Sequence, residues 1–134
     1  MKKGYKGNIE HLAVANTNFR EVLYTAKHCQ LVLTSLLPGE EVGLEVHEHG
    51  DQFLRFEMGE GSVFVNKTEY VVGEGDAVIV PEGAIHNIIN TSQETSLRFY
   101  SVYAPPEHLD KLIHATKEDS ETHASEFDGT LTEY

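Results

Sequence analysis

The chain has a single cysteine, Cys29, in 134 residues. No internal disulfide can form, and the C-x-x-C spacing of a metal or redox motif is excluded. Cys29 itself reads as a small buried hydrophobe. Positive charge is also scarce, with 10 Lys and Arg against 22 Asp and Glu and a formal net charge of -12. Such a surface repels the phosphates of nucleic acid and anionic lipid headgroups, so neither is expected as a partner. No apolar stretch approaches a membrane span, and the basic start MKKGYKGNIEHLAVANTNF lacks the apolar run of a signal peptide. A cytoplasmic location is the expectation. Helical periodicity and internal repeats are missing as well, which argues against bundles and duplicated folds.

What the chain does have is a succession of short β-branched and aromatic runs. From residue 19 to 104 these are FREVLYTA, CQLVLTSLL, VGLEVHEH, QFLRFEM, SVFVN, EYVV, DAVIV, IHNIIN and SLRFYSVYA. Segments such as LPGEEVG, MGEGS, NKT, VGEGD, VPEGA and NTSQET separate them, and these carry the Gly, Pro and Asn that tight connections require. The pattern predicts an all-β fold, an antiparallel barrel or sandwich with one core. We expect an N-terminal arm over residues 1–18, the barrel over 19–104, and a short helix with an extended acidic tail over 105–134. The tail, with Pro105 and Pro106 and few apolar anchors, is expected to be solvated or packed on a neighbouring subunit.

Two stretches carry chemistry. GDAVIVPEGAIHNIIN places Gly75, Pro81, Gly83, His86 and Asn90 at the spacing G-x5-P-x-G-x2-H-x3-N, and EVHEHGDQFLRFEMG places His47 and His49 before Gln52 and Gly59. In the second motif, Gly75 turns the chain into a strand, Pro81 and Gly83 bend it at the barrel mouth, and His86 opens the next strand facing inward. These spacings resemble the two motifs of the cupin superfamily, the first being H-x-H-x3,4-E-x6-G, and the resemblance covers roughly Pro38 to Ala104. It implies a jelly-roll barrel, also called a double-stranded β-helix. It also implies a single divalent metal ion held by histidines from both motifs.

The first motif departs from the family pattern in one respect. Counting back from Gly59, the glutamate position holds Gln52, and it follows His49 one residue earlier than the family's shortest spacing. Gln52, Leu54, Phe56 and Met58 share strand parity and form a mostly apolar inward stripe, so Gly50 must absorb a change of parity after His49 as a bulge. Asp51 is the rival ligand if that register is wrong. His47 and His49, two apart, are expected on one face. The candidate ligands are therefore His47, His49, Gln52 and His86, a neutral set that leaves the full charge on the ion and makes it more loosely held but more strongly Lewis acidic. Zn, Ni, Fe(II) and Mn all suit such mixed N/O ligation. The alternative is that these histidines are hydrogen-bonded mouth residues with no ion.

Glu45 has the parity of His47 and His49, which fits a general base. Tyr100 or Tyr103 can donate from the last strand. Arg55 and Glu57 read as outward residues, and His11, His28, His108, His114 and His123 as solvated ones in turns, termini or tail. Ile85 and Ile89, outward on their strand, hint at a homodimer, the state that many cupins adopt. Two functions follow from the resemblance. One is a metal-dependent enzyme on a small polar, sugar-like or carboxylate molecule, through isomerase-like proton transfer or Fe-dependent dioxygenation; the other is a non-catalytic ligand-binding barrel.

Overall fold

A computed structural model describes residues 1–134. A short helix α1 (Ile9–Ala15) precedes ten strands: β1 (Arg20–Thr25), β2 (Gln30–Leu36), β3 (Glu45–Val46), β4 (Asp51–Met58), β5 (Glu60–Val65), β6 (Thr68–Gly73), β7 (Ala77–Val80), β8 (Ile85–Asn90), β9 (Leu97–Ala104) and β10 (Ile113–His114). Helix α2 (Lys117–Thr122) follows them. Every run expected as a strand contains one, but VGLEVHEH contributes only the two residues of β3.

All pairings are antiparallel. A six-stranded sheet in the order β10-β1-β2-β9-β4-β7 faces a four-stranded sheet in the order β3-β8-β5-β6. The fold is an all-β, antiparallel barrel of the jelly-roll kind. The period-two pattern of each strand sends alternate side chains between the sheets. There Leu36, Leu54, Phe56, Val63, Leu97 and Phe99 are fully buried in one cluster. The alternation in β4 fails once, at a register shift between Phe56 and Met58. Glu57, expected as a surface residue, is buried and pairs with the half-exposed Arg55 two positions back at 3.0 Å.

Gly59 shows why the first motif ends on glycine. It has φ +90°, and a Cβ there would lie 2.4 Å from the Ser96 carbonyl oxygen. Asn90, the last residue of the second motif, is structural: its amide donates to the carbonyls of Leu36, Leu37 and Thr95 and its oxygen accepts from the Ser92 N–H. One buried side chain thus closes the turn between β8 and β9 and the end of β2.

Among the flanking and turn residues, the expectations for the tail, Cys29, His108 and His114 do not hold. The tail packs on its own barrel: Ile113 and His114 join the six-stranded sheet, and Thr132 exchanges hydrogen bonds with the backbone of Thr25. The N-terminal arm carries α1, capped by Asn8, whose side chain accepts from His11 N–H. Cys29 lies exposed in the β1–β2 turn, while His108 and His114 are buried. No helix is long and apolar enough to cross a membrane.

Candidate metal centre

Three side chains from two segments meet between the sheets at one end of the barrel. One possible ligand atom from each of Glu45, His47 and His86 lies within 4.8 Å of the others. Register explains the first pair, because Glu45 and His86 are directly opposed in the β3–β8 ladder. His47 follows just after β3, where its carbonyl accepts from the N–H of Gly83 at 2.8 Å. The Pro81–Gly83 turn of the second motif therefore anchors the histidine of the first. The two imidazoles lie 4.9 Å apart, centroid to centroid.

Each imidazole is held by its Nδ1. That of His86 lies 3.2 Å from the Ala84 carbonyl, and that of His47 lies 3.4 Å from Glu107 Oε1. A ring whose Nδ1–H is engaged in this way presents the bare lone pair of Nε2, the arrangement that orients metal-ligating histidines. His47 Nε2 is buried with no hydrogen-bond partner and lies 3.6 Å from Glu45 Oε2.

Gln52, 3% exposed, offers a fourth donor, an amide oxygen. Its Nε2 donates to Ser101 Oγ at 3.1 Å, whereas its Oε1 is buried and unpartnered. Gln52 lines one cavity with Glu45, His86, Arg20, Thr34 and Tyr103 against the apolar wall of Phe19, Val42, Ile88 and Phe99. The free space is about 10 Å³. That is about the room a single water needs. A buried, unpartnered amide oxygen and imidazole nitrogen that converge with a carboxylate fit a divalent cation, since each is costly to leave without a partner in a dry site.

The surroundings set the proton affinities. Burial works against charge on His47, but the hydrogen bond and charge of Glu107, together with Glu45, outweigh it and raise its pKa above the usual histidine value. Burial, joined by the charge of His47, lowers that of His86 despite the Ala84 carbonyl.

His49 does not join this group. Strand β3 ends at Val46, and residues 48 and 49 form an exposed turn, so the alternation that would have put His47 and His49 on one face stops between them. The turn delivers Gly50 to a close approach, where a Cβ would lie 3.0 Å from Pro105 Cδ and 3.1 Å from the Ala104 carbonyl oxygen. A turn, not a bulge, absorbs the parity change. Asp51 is exposed and accepts from the Glu82 N–H at 2.9 Å, away from the group. Tyr103 is buried opposite Gln52 in the β4–β9 ladder, while Tyr100 is half-buried and stacks near Phe53.

Sequence reasoning did not find Glu107 or Arg20. Glu107 sits in PPEH immediately after the last barrel strand, a position that topology returns to the mouth. Arg20 stands at the first residue of β1, with its side chain inward. A basic residue on the inward face of a strand, in a chain poor in positive charge, was the available signal.

Residues 32–103, more than half the chain, match the family model for the cupin domain, and the protein belongs to the cupin family. It is 43% identical over 124 residues to YrkC of Bacillus subtilis (strain 168), covering 88% of this chain and 66% of that protein. It is 36% identical over 107 residues to L612 of Acanthamoeba polyphaga mimivirus, covering 78% and 67% respectively. The chain thus spans about two thirds of the length of these curated relatives. The crystal structure of BH2720 from Bacillus halodurans is similar with a TM-score of 0.87 and 37% identity, over 90% of this chain and 96% of that one. A predicted oxalate decarboxylase from Thermotoga maritima is similar with a TM-score of 0.58 and 26% identity, over 65% of this chain and 81% of that one.

Proposed function

We propose that the protein is a metal-dependent cupin acting on a small polar molecule, with one divalent ion held by Glu45, His47 and His86 and with the Gln52 carbonyl oxygen as a fourth donor. The observation that carries this reading is the pair of imidazoles anchored through Nδ1 and directed, with a carboxylate, at one buried point. Two histidines and one carboxylate suit Fe(II) and Zn alike, and such a set leaves coordination positions for a second molecule. The carboxylate that is missing at position 52 is thereby supplied from position 45, and the net charge of the ion with its ligands falls to +1 instead of +2. As a ligand, Glu45 is no longer the free base suggested by its strand parity.

When bound, the ion supplies Lewis acidity toward an oxygen of the substrate. The residues of the chain supply the rest. Glu107 orients His47, the Ala84 carbonyl orients His86, and Phe19, Val42, Ile88 and Phe99 keep water out. A wall that also presents Arg20, Thr34 and Tyr103 favours an enzyme over a passive binder, because polar groups beside an open metal position can bind and move charge on a substrate. The cation Arg20 on the cavity wall favours a carboxylate over a neutral sugar, and the likeness to a predicted oxalate decarboxylase is in keeping with that choice.

Titration of chelator-treated protein with Fe(II), Mn, Ni and Zn, followed by metal analysis, tests the proposal. One equivalent is expected in the wild type and in His49→Ala, and little in His86→Ala or His47→Ala. Equal metal content in all four proteins would overturn it.

A further inference from the structure

Arg20 is a buried cation without an anion. Its residue is 8% exposed, its guanidinium lies over the Phe19 ring at 5.2 Å, and no acidic side chain stands within ion-pair distance of it. None of its N–H groups donates to another residue of the chain. The ion pairs of this molecule are His47 with Glu45, His47 with Glu107, and Arg55 with Glu57. A guanidinium stays charged in proteins and offers five donors; those of Arg20 are not among the fully buried unpartnered atoms, so they keep some contact with solvent while no acidic side chain answers their charge.

The neighbours of Arg20 repeat the pattern. His114 is its partner across the β1–β10 ladder and is 4% exposed; His108 is 8% exposed; and neither ring has a hydrogen-bond partner on either nitrogen. Burial, followed by the charge of Arg20, pushes His108 down to about 2 and lowers His114 as well. Burial outweighs the Ser125 carbonyl beside His108, so both rings are neutral, and neither makes a hydrogen bond of good geometry. Donors without acceptors gather on this side of the barrel.

We propose that Arg20 is the anion-recognition residue of the cavity, taking in its fork the carboxylate of a small acid that lies beside Glu45, Gln52 and His86. The planar fork matches a carboxylate with two parallel hydrogen bonds. One guanidinium balances one negative charge, whereas a phosphate would bring more charge close to Glu45 and Glu107. The free space beside Arg20 is about 10 Å³, the room of a single water, so even the smallest acid enters only as the surrounding side chains shift apart. This site deepens the metal-centre reading by naming the substrate class. Its own evidence, the unpaired Arg20, does not depend on an ion.

The test uses chelator-treated protein and Arg20→Met, with formate, formamide and inorganic phosphate as probes, read by thermal midpoint and calorimetric titration. Formate is expected to raise the midpoint of the wild type in a saturable way, and neutral formamide is expected not to. In Arg20→Met the formate affinity should fall about 10- to 100-fold. The midpoint of the ligand-free variant should rise, because an unpaired buried charge gives way to an apolar chain of similar length. Arg20→Lys, which keeps the charge and loses the fork, should weaken formate binding by less.

A lower midpoint in Arg20→Met, with equal stabilisation of both proteins by formate, would make Arg20 structural and overturn the proposal. A stronger effect of phosphate than of formate, lost in Arg20→Met, would overturn the carboxylate class. Stoichiometric metal binding with no formate effect would remove this inference and leave the metal centre standing. A formate effect without metal binding would do the reverse.

Discussion

Glu45 and His86 face each other across the antiparallel ladder of β3 and β8, forty-one positions apart in the chain and adjacent in space. That pairing puts a carboxylate beside an imidazole whatever the cavity contains. It makes Glu45, and not the second histidine of the H-x-H sequence, the companion of His47 and His86. The consequences can be measured.

Removing the charge of Glu45 should weaken divalent-ion binding more than removing that of Glu107, which acts through His47. Glu107→Gln is expected to lower affinity about 10- to 100-fold. Glu45→Gln should exceed that loss, and Glu45→Gln combined with Gln52→Glu should recover part of it by returning a carboxylate to the opposite wall. Competition with a chromophoric chelator reads all three. Unchanged affinity in Glu45→Gln would remove Glu45 from the ligand set.

Asn90→Ala should destabilise the fold while leaving the ion site assembled. The substitution removes donors to three carbonyls and an acceptor for the Ser92 N–H. A loss of about 2 to 3 kcal/mol is expected. A lower urea midpoint at constant m value, with metal stoichiometry retained, is the predicted signature.

Phe56→Ala should cost about 3 to 5 kcal/mol. Phe56 is fully buried, with its ring centroid 5.0 Å from that of Phe99, and it does not line the cavity of the metal group. Thermal or urea denaturation gives the value. A cost below about 1 kcal/mol would mean that the core relaxes far more than close packing permits.

Acid should destabilise the ion-free protein before its carboxylates begin to titrate. The pKa of His108 falls from 6.5 to about 2 on folding, through burial and then the charge of Arg20. Above 6.5 it is neutral in both states and has no effect. As pH falls below 6.5 the unfolded chain takes up a proton that the folded chain refuses, so stability drops, with a slope from this group approaching about 1.4 kcal/mol per pH unit. His114 and His86, also lowered, act in the same sense. His47, raised, acts in the opposite one, its contribution being lost as pH rises through its folded value. Urea midpoints between about pH 6.5 and 4.5 should decline, and His108→Phe should make that decline shallower. An identical slope in wild type and variant would show that His108 titrates normally.

The barrel was legible in the sequence because its signals are local. Alternation in QFLRFEM, the positive φ of Gly59 at the end of that strand, and the turn at Pro81 to Gly83 each act within a few residues. The inward direction of Gln52 came from the same source, whereas His47 and His86 were picked out by the resemblance to the two cupin motifs. His49 was misplaced on the shared face because parity holds only while the backbone stays extended, and the strand stops at Val46. His108 and His114 were misread as solvated because their segment has few apolar residues of its own, and its burial comes from docking onto β1.

By itself the sequence determined the strands and the turns between them, since each follows from short-range periodicity and backbone sterics, and its two motifs pointed to the imidazoles of His47 and His86. Only the tertiary structure decided which carboxylates stand beside those imidazoles and that Arg20 faces the same cavity. Glu45 is brought to His86 by strand register, and Glu107 to His47 by the return of the chain to the barrel mouth. Both depend on how distant segments pack to bury a common core, which no local pattern encodes.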